Sequence, residues 1–294
     1  MIGSRLLGRV SLLVASLSLT SAAFAAPAMM VLPRHAGAIR PIHVVVFGKN
    51  GRETVAQFAA GEHEDPATLH RDYAASGIVR CGRAHGAGQL TLADNVITTA
   101  AHVFFDEAGR QRAASCRFEV MRGDATVSVS INMKSIVAGS RNPYSIAAVH
   151  DWAVARLDMP ILDATPYQIA NTPAINDRVR FVARGHIDWG DARRLSVEAC
   201  RLRRQTNSSR QGPREFSFDC DTGDGASGGA VLLGNEPGKL CAVLVGYRSI
   251  DPTAALPFSP LHYNFVVSIE GDFREAAIDM AHPRVAAADN SAQE

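Results

Sequence analysis

Apolar residues in this chain fall in short runs separated by turn-forming residues. From about residue 74 the series reads GIVRC, GQLTLADNVITTA, CRFEVM, TVSVSINMKSIVA, WAVARLD, RVRFVARG, RLSVEAC, EFSFDC, AVLLG, LCAVLVGY and FVVSI. Many short β-like runs at such spacing predict an all-β sandwich or barrel. Long amphipathic periodicity is scarce. One good helix candidate, EGDFREAAIDMA at about 270–281, stands near the C-terminus, and the tail 283–294 with its AADNSAQE is expected to be disordered. Residues 26–73 mix Pro27, Pro33, Pro41 and Pro66 with one strand-like run, IHVVVFG, and read as an N-terminal extension or propeptide. No internal repeat is visible, although two successive barrels of similar size would leave no obvious echo.

The first residues carry an address. Arg5 and Arg9 precede the apolar SLLVASLSLTSAAFA, and Ala23-Phe24-Ala25 offers a small-x-small cleavage site, so residues 1–25 read as a signal peptide. The expected product is secreted or periplasmic, with no membrane anchor after signal removal. What remains suffices for one large domain or two lobes, and 47% hydrophobic residues is ordinary for a globular chain. A formal net charge of +1 gives no reason to expect nucleic acid or an acidic membrane as partner. Locally, seven arginines between Arg193 and Arg214 face one acid, Glu198, and read as a solvated surface loop. Five cysteines in an exported chain suggest bridges with one thiol left over. Cys200 and Cys220 end two β-like runs that could face each other in a hairpin, Cys81 with Cys116 is the second candidate pair, and Cys241 in an apolar run suits a buried thiol.

The stretch DTGDGASGGAVLL, 221–233, holds two patterns at once. As G-x-G-x-x-G it would open a helix under a pyrophosphate, but only four apolar residues follow before Gly234, Pro237 and Gly238 stop any helix. As G-x-S-G-G it surrounds Ser227 with the freedom a hydrolytic nucleophile needs. A serine hydroxyl requires a base, a group to orient the base, and donors for the oxyanion. His102 in NVITTAAHVFF and Asp151 in HDWAVARLD supply the first two. Gly225 can adopt the positive φ that turns its N–H toward a carbonyl. No standard metal-ligand set is formed by His63, His70 or His150, and no cofactor or metal is expected.

Three motifs together carry a resemblance. ITTAAHV, DWAVARL and GASGGAV resemble the histidine, aspartate and serine motifs of trypsin/chymotrypsin-like serine endopeptidases, in that family's order, over roughly residues 74–282. The resemblance implies two antiparallel Greek-key β-barrels, about 74–165 and 166–270, followed by the C-terminal helix. It implies a His102, Asp151, Ser227 triad, an oxyanion hole from the N–H groups of Gly225 and Ser227, an acyl-enzyme mechanism, a protein or peptide substrate, and a monomer. Departures matter too. Ala226 replaces the acid that animal members pair with a freed N-terminus, so the GIV at 77–79 cannot serve them in the same way. The DCDT stretch and the missing acid bring the chain nearer to bacterial members resembling glutamyl endopeptidases. For the specificity pocket, Asp221, Thr222 and Arg248 are the candidates: Arg248 could bind an acidic side chain, or pair with Asp221 and leave a preference for apolar or small residues. The alternative reading is a catalytically weak or inactive binding module on the same fold.

Overall fold

In the computed structural model, residues 43–282 are described, except 235 and 237. The expected signal peptide 1–25, residues 26–42 and the tail from 283 lie outside the described residues.

Six strands close the first barrel: β3 (Ser76–Cys81), β4 (Ala84–Thr91), β5 (Ala93–Thr99), β6 (Cys116–Arg122), β7 (Ala125–Ala138) and β8 (Ala153–Leu157). The period-2 pattern explains them. In β6, Cys116, Phe118 and Val120 point into the core while on the other face Arg117 is exposed and Glu119 and Met121 are half-buried. The run GQLTLADNVITTA is two strands, because Leu92 between β4 and β5 turns the chain at a φ of 63°. Its N–H is held by the carbonyl of Tyr167 at 2.8 Å.

After the short β9 (Gln168–Ile169), a second barrel is built from β10 (Arg178–Ala183), β11 (Ser196–Ser208), β12 (Arg214–Phe218), β14 (Ala230–Leu233), β15 (Lys239–Ser249) and β16 (His262–Ser268); β13 (Thr222–Gly223) lies outside its wall. Around the first barrel the strands run β3-β4-β5-β8-β7-β6, and around the second β10-β11-β12-β16-β15-β14, each closing on its first strand. Counted within each barrel, both orders are 1-2-3-6-5-4. The repeat that the sequence does not display is therefore present in topology.

The arginine-rich stretch, which reads as a surface loop, holds a strand: β11 carries Arg201, Arg203 and Arg204, while Arg193, Arg194 and Arg210 lie in the flanking turns and Arg214 opens β12. Its polar residues form the solvent face of β11, with Leu202 turned inward, and Arg203 pairs with Asp219. Both candidate disulfides are present. Cys81–Cys116 bridges directly opposed residues of β3 and β6, and Cys200–Cys220 joins β11 to the segment leaving β12, while Cys241 is a buried free thiol. Burial raises the Cys241 thiol far above its ordinary range.

The helix α3 (Gly271–Ala281) leaves the second barrel and returns to the first. Phe273 is fully buried and stacks on Trp152 with ring centroids 4.7 Å apart.

Residues 43–73 are built into the same body. After β1 (Val44–Val45) and β2 (Glu53–Thr54) come α1 (Val55–Glu62) and α2 (Pro66–Asp72). Thr54 and Gln57 form a capping box on α1, and Asp65 caps α2 ahead of Pro66. Val55, Phe58, Ala59, Leu69 and Tyr73 are buried, and the larger of them each contribute about 1.5–3 kcal/mol by leaving water. Arg180 fixes the helix pair to β10 through Glu64 and the Tyr73 hydroxyl.

Ahead of the helices the chain forms a strap, His43–Thr54. β1 pairs with β13, and β2 with the start of β11. Between these contacts the Asp221 carboxylate accepts the N–H of Phe47 at 2.7 Å and of Gly51 at 2.5 Å. Asp221's own N–H donates to Glu198 Oε2 at 2.9 Å. Two carboxyl groups thus share one polar pocket, with Asp219 and Arg52 as the other charges acting on it. Burial, and then the charge of Asp221, push Glu198 up to about 9; burial raises Asp221 as well.

Replacing Phe273 by alanine is expected to lower the unfolding free energy by about 3–5 kcal/mol, measured by denaturant titration, because a large ring is lost from a filled site. A second expectation concerns pH. Glu198 holds its proton more tightly folded than unfolded, so the stability it contributes is complete below its unfolded pKa and declines as pH rises toward about 9. Thermal midpoints measured from pH 5 to 9 should fall less in Glu198→Gln than in the wild type; equal slopes would refute this.

Candidate active site

His102 sits in a single 3-10 turn, Ala101–Val103, immediately after β5, and Asp151 follows a similar turn, Ala148–His150, at the mouth of β8. Because β5 and β8 are hydrogen-bonded neighbours, their ends lie together. Asp151 is 6% exposed and accepts two hydrogen bonds from His102: its backbone N–H donates to Oδ1 at 2.9 Å and its ring Nδ1–H to Oδ2 at 2.7 Å. The carboxylate therefore fixes both the position of the turn and the tautomer of the ring. Nε2 is left with its lone pair, the form a general base needs. Arg112 closes the other side. Its Nε donates to the His102 carbonyl at 2.8 Å and its guanidinium to the Tyr144 hydroxyl at 3.0 Å, which sets the Tyr144 ring 6.0 Å from that of His102.

Ser227 comes from the second barrel, on the turn between β13 and β14. Two close approaches seat it against the residues around His102. The Ser227 carbonyl accepts the N–H of Ala87 at 2.8 Å, and a Cβ on Gly86 would meet both that carbonyl and the Val103 side chain. Gly228, at φ 87°, packs so tightly that a Cβ there would lie 2.2 Å from Thr99 Oγ1 and 3.0 Å from the Ala100 nitrogen. The serine loop is thus pressed onto the strand end that carries the histidine, and that contact tolerates no side chain at 228.

Gly225 has the positive φ anticipated for it, 92°. Among the described residues, no protein acceptor takes the N–H of Gly225 or of Ser227, whereas their neighbours are bonded: Ala226 N–H to Gly223, Gly228 N–H to Leu244, Gly229 N–H to Ala226. Two unpaired donors thus stand beside a serine in a loop otherwise tied down, the arrangement that an oxyanion site requires.

The pocket candidates fare differently. Asp221 is 2% exposed, and its oxygens are occupied by the strap. Arg248 does not pair with it. Its guanidinium forms a fork onto Glu215, at 2.7 and 3.2 Å, and lies 4.2 Å from the centre of the Phe265 ring. Thr222 is buried and donates to Asn264 Oδ1 at 2.9 Å, while Asn264 donates to the Cys220 carbonyl. Among the described residues no cluster of three or more His, Cys, Asp or Glu could hold a metal ion.

Sequence reasoning missed several residues that adjoin this site. His85 Nε2 donates across the cleft to the Gly185 carbonyl at 2.9 Å. His186 is fully buried: Nε2–H donates to Ser196 Oγ at 2.7 Å, that hydroxyl donates to the Ala183 carbonyl, and Nδ1 accepts from Arg52 at 3.1 Å. Burial first, and the Arg52 charge second, push His186 down to about 3, so it is neutral throughout the working pH range. Arg52 completes its own bonding with a two-pronged contact to Asp188, at 2.6 and 3.1 Å. No local pattern marks this network, since Arg52 lies more than 130 positions from His186 and Asp188.

Comparison with known proteins follows the same lines. Residues 75–243, more than half the chain, match the model of a trypsin-like peptidase domain. No curated protein matches the sequence. Among solved structures, a Glu endopeptidase in complex with MPD is similar with a TM-score of 0.59 at 20% identity, covering 81% of this chain and 99% of that one. A thermostable serine protease from an extremophilic microorganism is similar with a TM-score of 0.52 at 15% identity, covering 72% and 98%. At such identities the likeness is one of fold: two six-stranded antiparallel barrels and a C-terminal helix. The family match adds the chemistry, and the chain belongs to the trypsin-like peptidase family, a serine endopeptidase acting on protein or peptide substrates.

Proposed function

We propose that His102, Asp151 and Ser227 are the catalytic triad of this peptidase, with the N–H groups of Gly225 and Ser227 as its oxyanion hole. The two-pronged Asp151–His102 contact carries this reading, because it produces the one tautomer that can take a proton at Nε2. Ser227 Oγ attacks the scissile carbonyl and gives its proton to Nε2. The imidazolium then protonates the leaving amine, the acyl-enzyme forms, and water repeats the sequence to release the acid. Asp151 keeps accepting the Nδ1–H throughout and so stabilises the imidazolium.

We further propose that the enzyme works after export. Residues 1–25 have the layout of a signal peptide, the two disulfides suit an oxidising compartment, and among the described residues no helix is long and apolar enough to cross a membrane. Neither charged pocket candidate stands as an unpaired charge: the Asp221 carboxylate accepts two N–H groups of the strap and Arg248 is forked onto Glu215.

A fluorophosphonate probe should label the purified protein, and Ser227→Ala should abolish both labelling and peptidase activity; an unlabelled, folded wild type would sink the assignment. Asp151→Asn should lower kcat by about 10⁴-fold, since it favours the wrong tautomer. A peptide-library cleavage profile is expected to show no preference for Arg or Lys before the cleaved bond, and Arg248→Ala should leave that profile unchanged.

A further inference from the structure

We propose that the strap His43–Thr54 is a permanent working part of the active site, and that Asp221 and Arg52 are positioning residues which hold the loop carrying Gly225 and Ser227. This inference rests on the triad and oxyanion hole proposed above.

Ala226 takes away the acid that, in the animal enzymes this chain resembles, pairs with a freed N-terminus to order that loop. Something else must hold Gly225 at a φ of 92° with its N–H unpaired. The strap lies along one side of the loop. Val44 and Val45 pair with Gly223 and Thr222, and at Asp224 both partners are exchanged: the N–H of His43 donates to its carboxylate at 3.0 Å and its own N–H donates to the His43 carbonyl at 2.9 Å. Asp221, at the root of the loop, gathers the N–H groups of Phe47 and Gly51, so the strap bends around that carboxylate.

On the loop's other side stands the turn 185–188. The Ile187 N–H donates to the Asp224 carbonyl at 3.0 Å, and Gly185 and Gly225 are stacked backbone to backbone. Arg52 joins the strap to this turn, with its side chain 1% exposed and its guanidinium on His186 and Asp188. Loop 221–226 is therefore held between two walls, and Arg52 ties the walls together. A substrate backbone gains nothing from the strap directly. What the strap supplies is the direction of two N–H groups.

The test uses the full chain with Asp221→Ala, Asp221→Asn, Arg52→Ala and Arg52→Lys. The informative comparison is between a peptide aldehyde, whose hemiacetal oxygen occupies the oxyanion position, and the matching peptide with the scissile carbonyl reduced to a methylene, which places no oxygen there. Asp221→Ala and Arg52→Ala should lose at least about tenfold in both kcat and aldehyde affinity, approaching the about 10²–10³ that a lost oxyanion donor costs. KM and affinity for the reduced peptide should stay within about twofold, with an unchanged circular dichroism spectrum. Asp221→Asn should recover part of the loss, because an amide oxygen still accepts one of the two N–H groups; Arg52→Lys should recover less, because an ammonium cannot form the fork.

Should the alanine variants fail to fold, hydrogen exchange on the wild type in subdenaturing urea decides instead. Strap amides 44–54 and fluorophosphonate reactivity should be lost together. Reactivity that survives opening of the strap, or folded variants with wild-type kcat and aldehyde affinity, would overturn the proposal while leaving the triad in place. A wild type that the probe never labels would overturn the triad reading, and this inference with it.

Discussion

The site depends on one close approach, between Gly185 and Gly225. Each has a positive φ, and a Cβ on either would lie 2.3 Å or less from the carbonyl oxygen of the other. Only two residues without side chains can meet this way. The contact sets the distance between the 185–188 turn and the serine loop, and a donor aimed at a substrate carbonyl must be placed within a few tenths of an ångström to be useful. His85 adds a grip from the first barrel by donating to the Gly185 carbonyl, so the glycine pair is held from both lobes.

Topology explains why chemistry collects here. Two barrels with the same cyclic strand order each offer strand ends and turns toward their junction. The first barrel brings His102 and Asp151 together because β5 and β8 are neighbours in its wall, although 49 residues separate them along the chain. The second contributes the serine loop, whose contacts with Ala87 and Thr99 cross the junction. A loop lying between two independently closed walls inherits their rigidity without being part of either. The bridge Cys200–Cys220 supports this further by fixing the segment that leads into the loop.

The barrel strands were legible in the sequence because they are a local signal: period-2 runs bury one face. The motifs that carry the proposed triad are equally local, each a few residues long. The C-terminal helix shows the same in its apolar spacing, with Phe273 and Ala277 inward. Residues 43–73 were harder to read, yet not silent: Thr54-x-x-Gln57 is a capping box and Asp65-Pro66 a helix start, both overshadowed by a proline-rich neighbourhood and short helices. The arginine cluster misled because β11 is polar on one face for most of its length, which resembles a loop when its partner strands are unknown. Asp221 is a different case. Its position in the motif matched that of a pocket acid, but the identity of its partners is set by a segment some 170 residues earlier. Long-range pairing of this kind leaves no trace in local composition.

The strap's polar contacts raise a physical question of their own, since a buried guanidinium is an expensive way to join two pieces of chain. Replacing Arg52, Asp188 and His186 by apolar groups of similar volume could cost little in stability, because burying an ion pair forfeits hydration that its mutual attraction only roughly restores. Apolar packing, however, tolerates sliding. A forked arginine does not: its N–H groups match Asp188 and His186 Nδ1 in one register only, and His186 is held in a single tautomer by the chain of donors ending at the Ala183 carbonyl. Since burial keeps His186 neutral, no proton competes with Arg52 for Nδ1 across the range in which a peptidase works. The network therefore trades stability for registry beside the loop that carries the two backbone N–H groups proposed to meet the substrate.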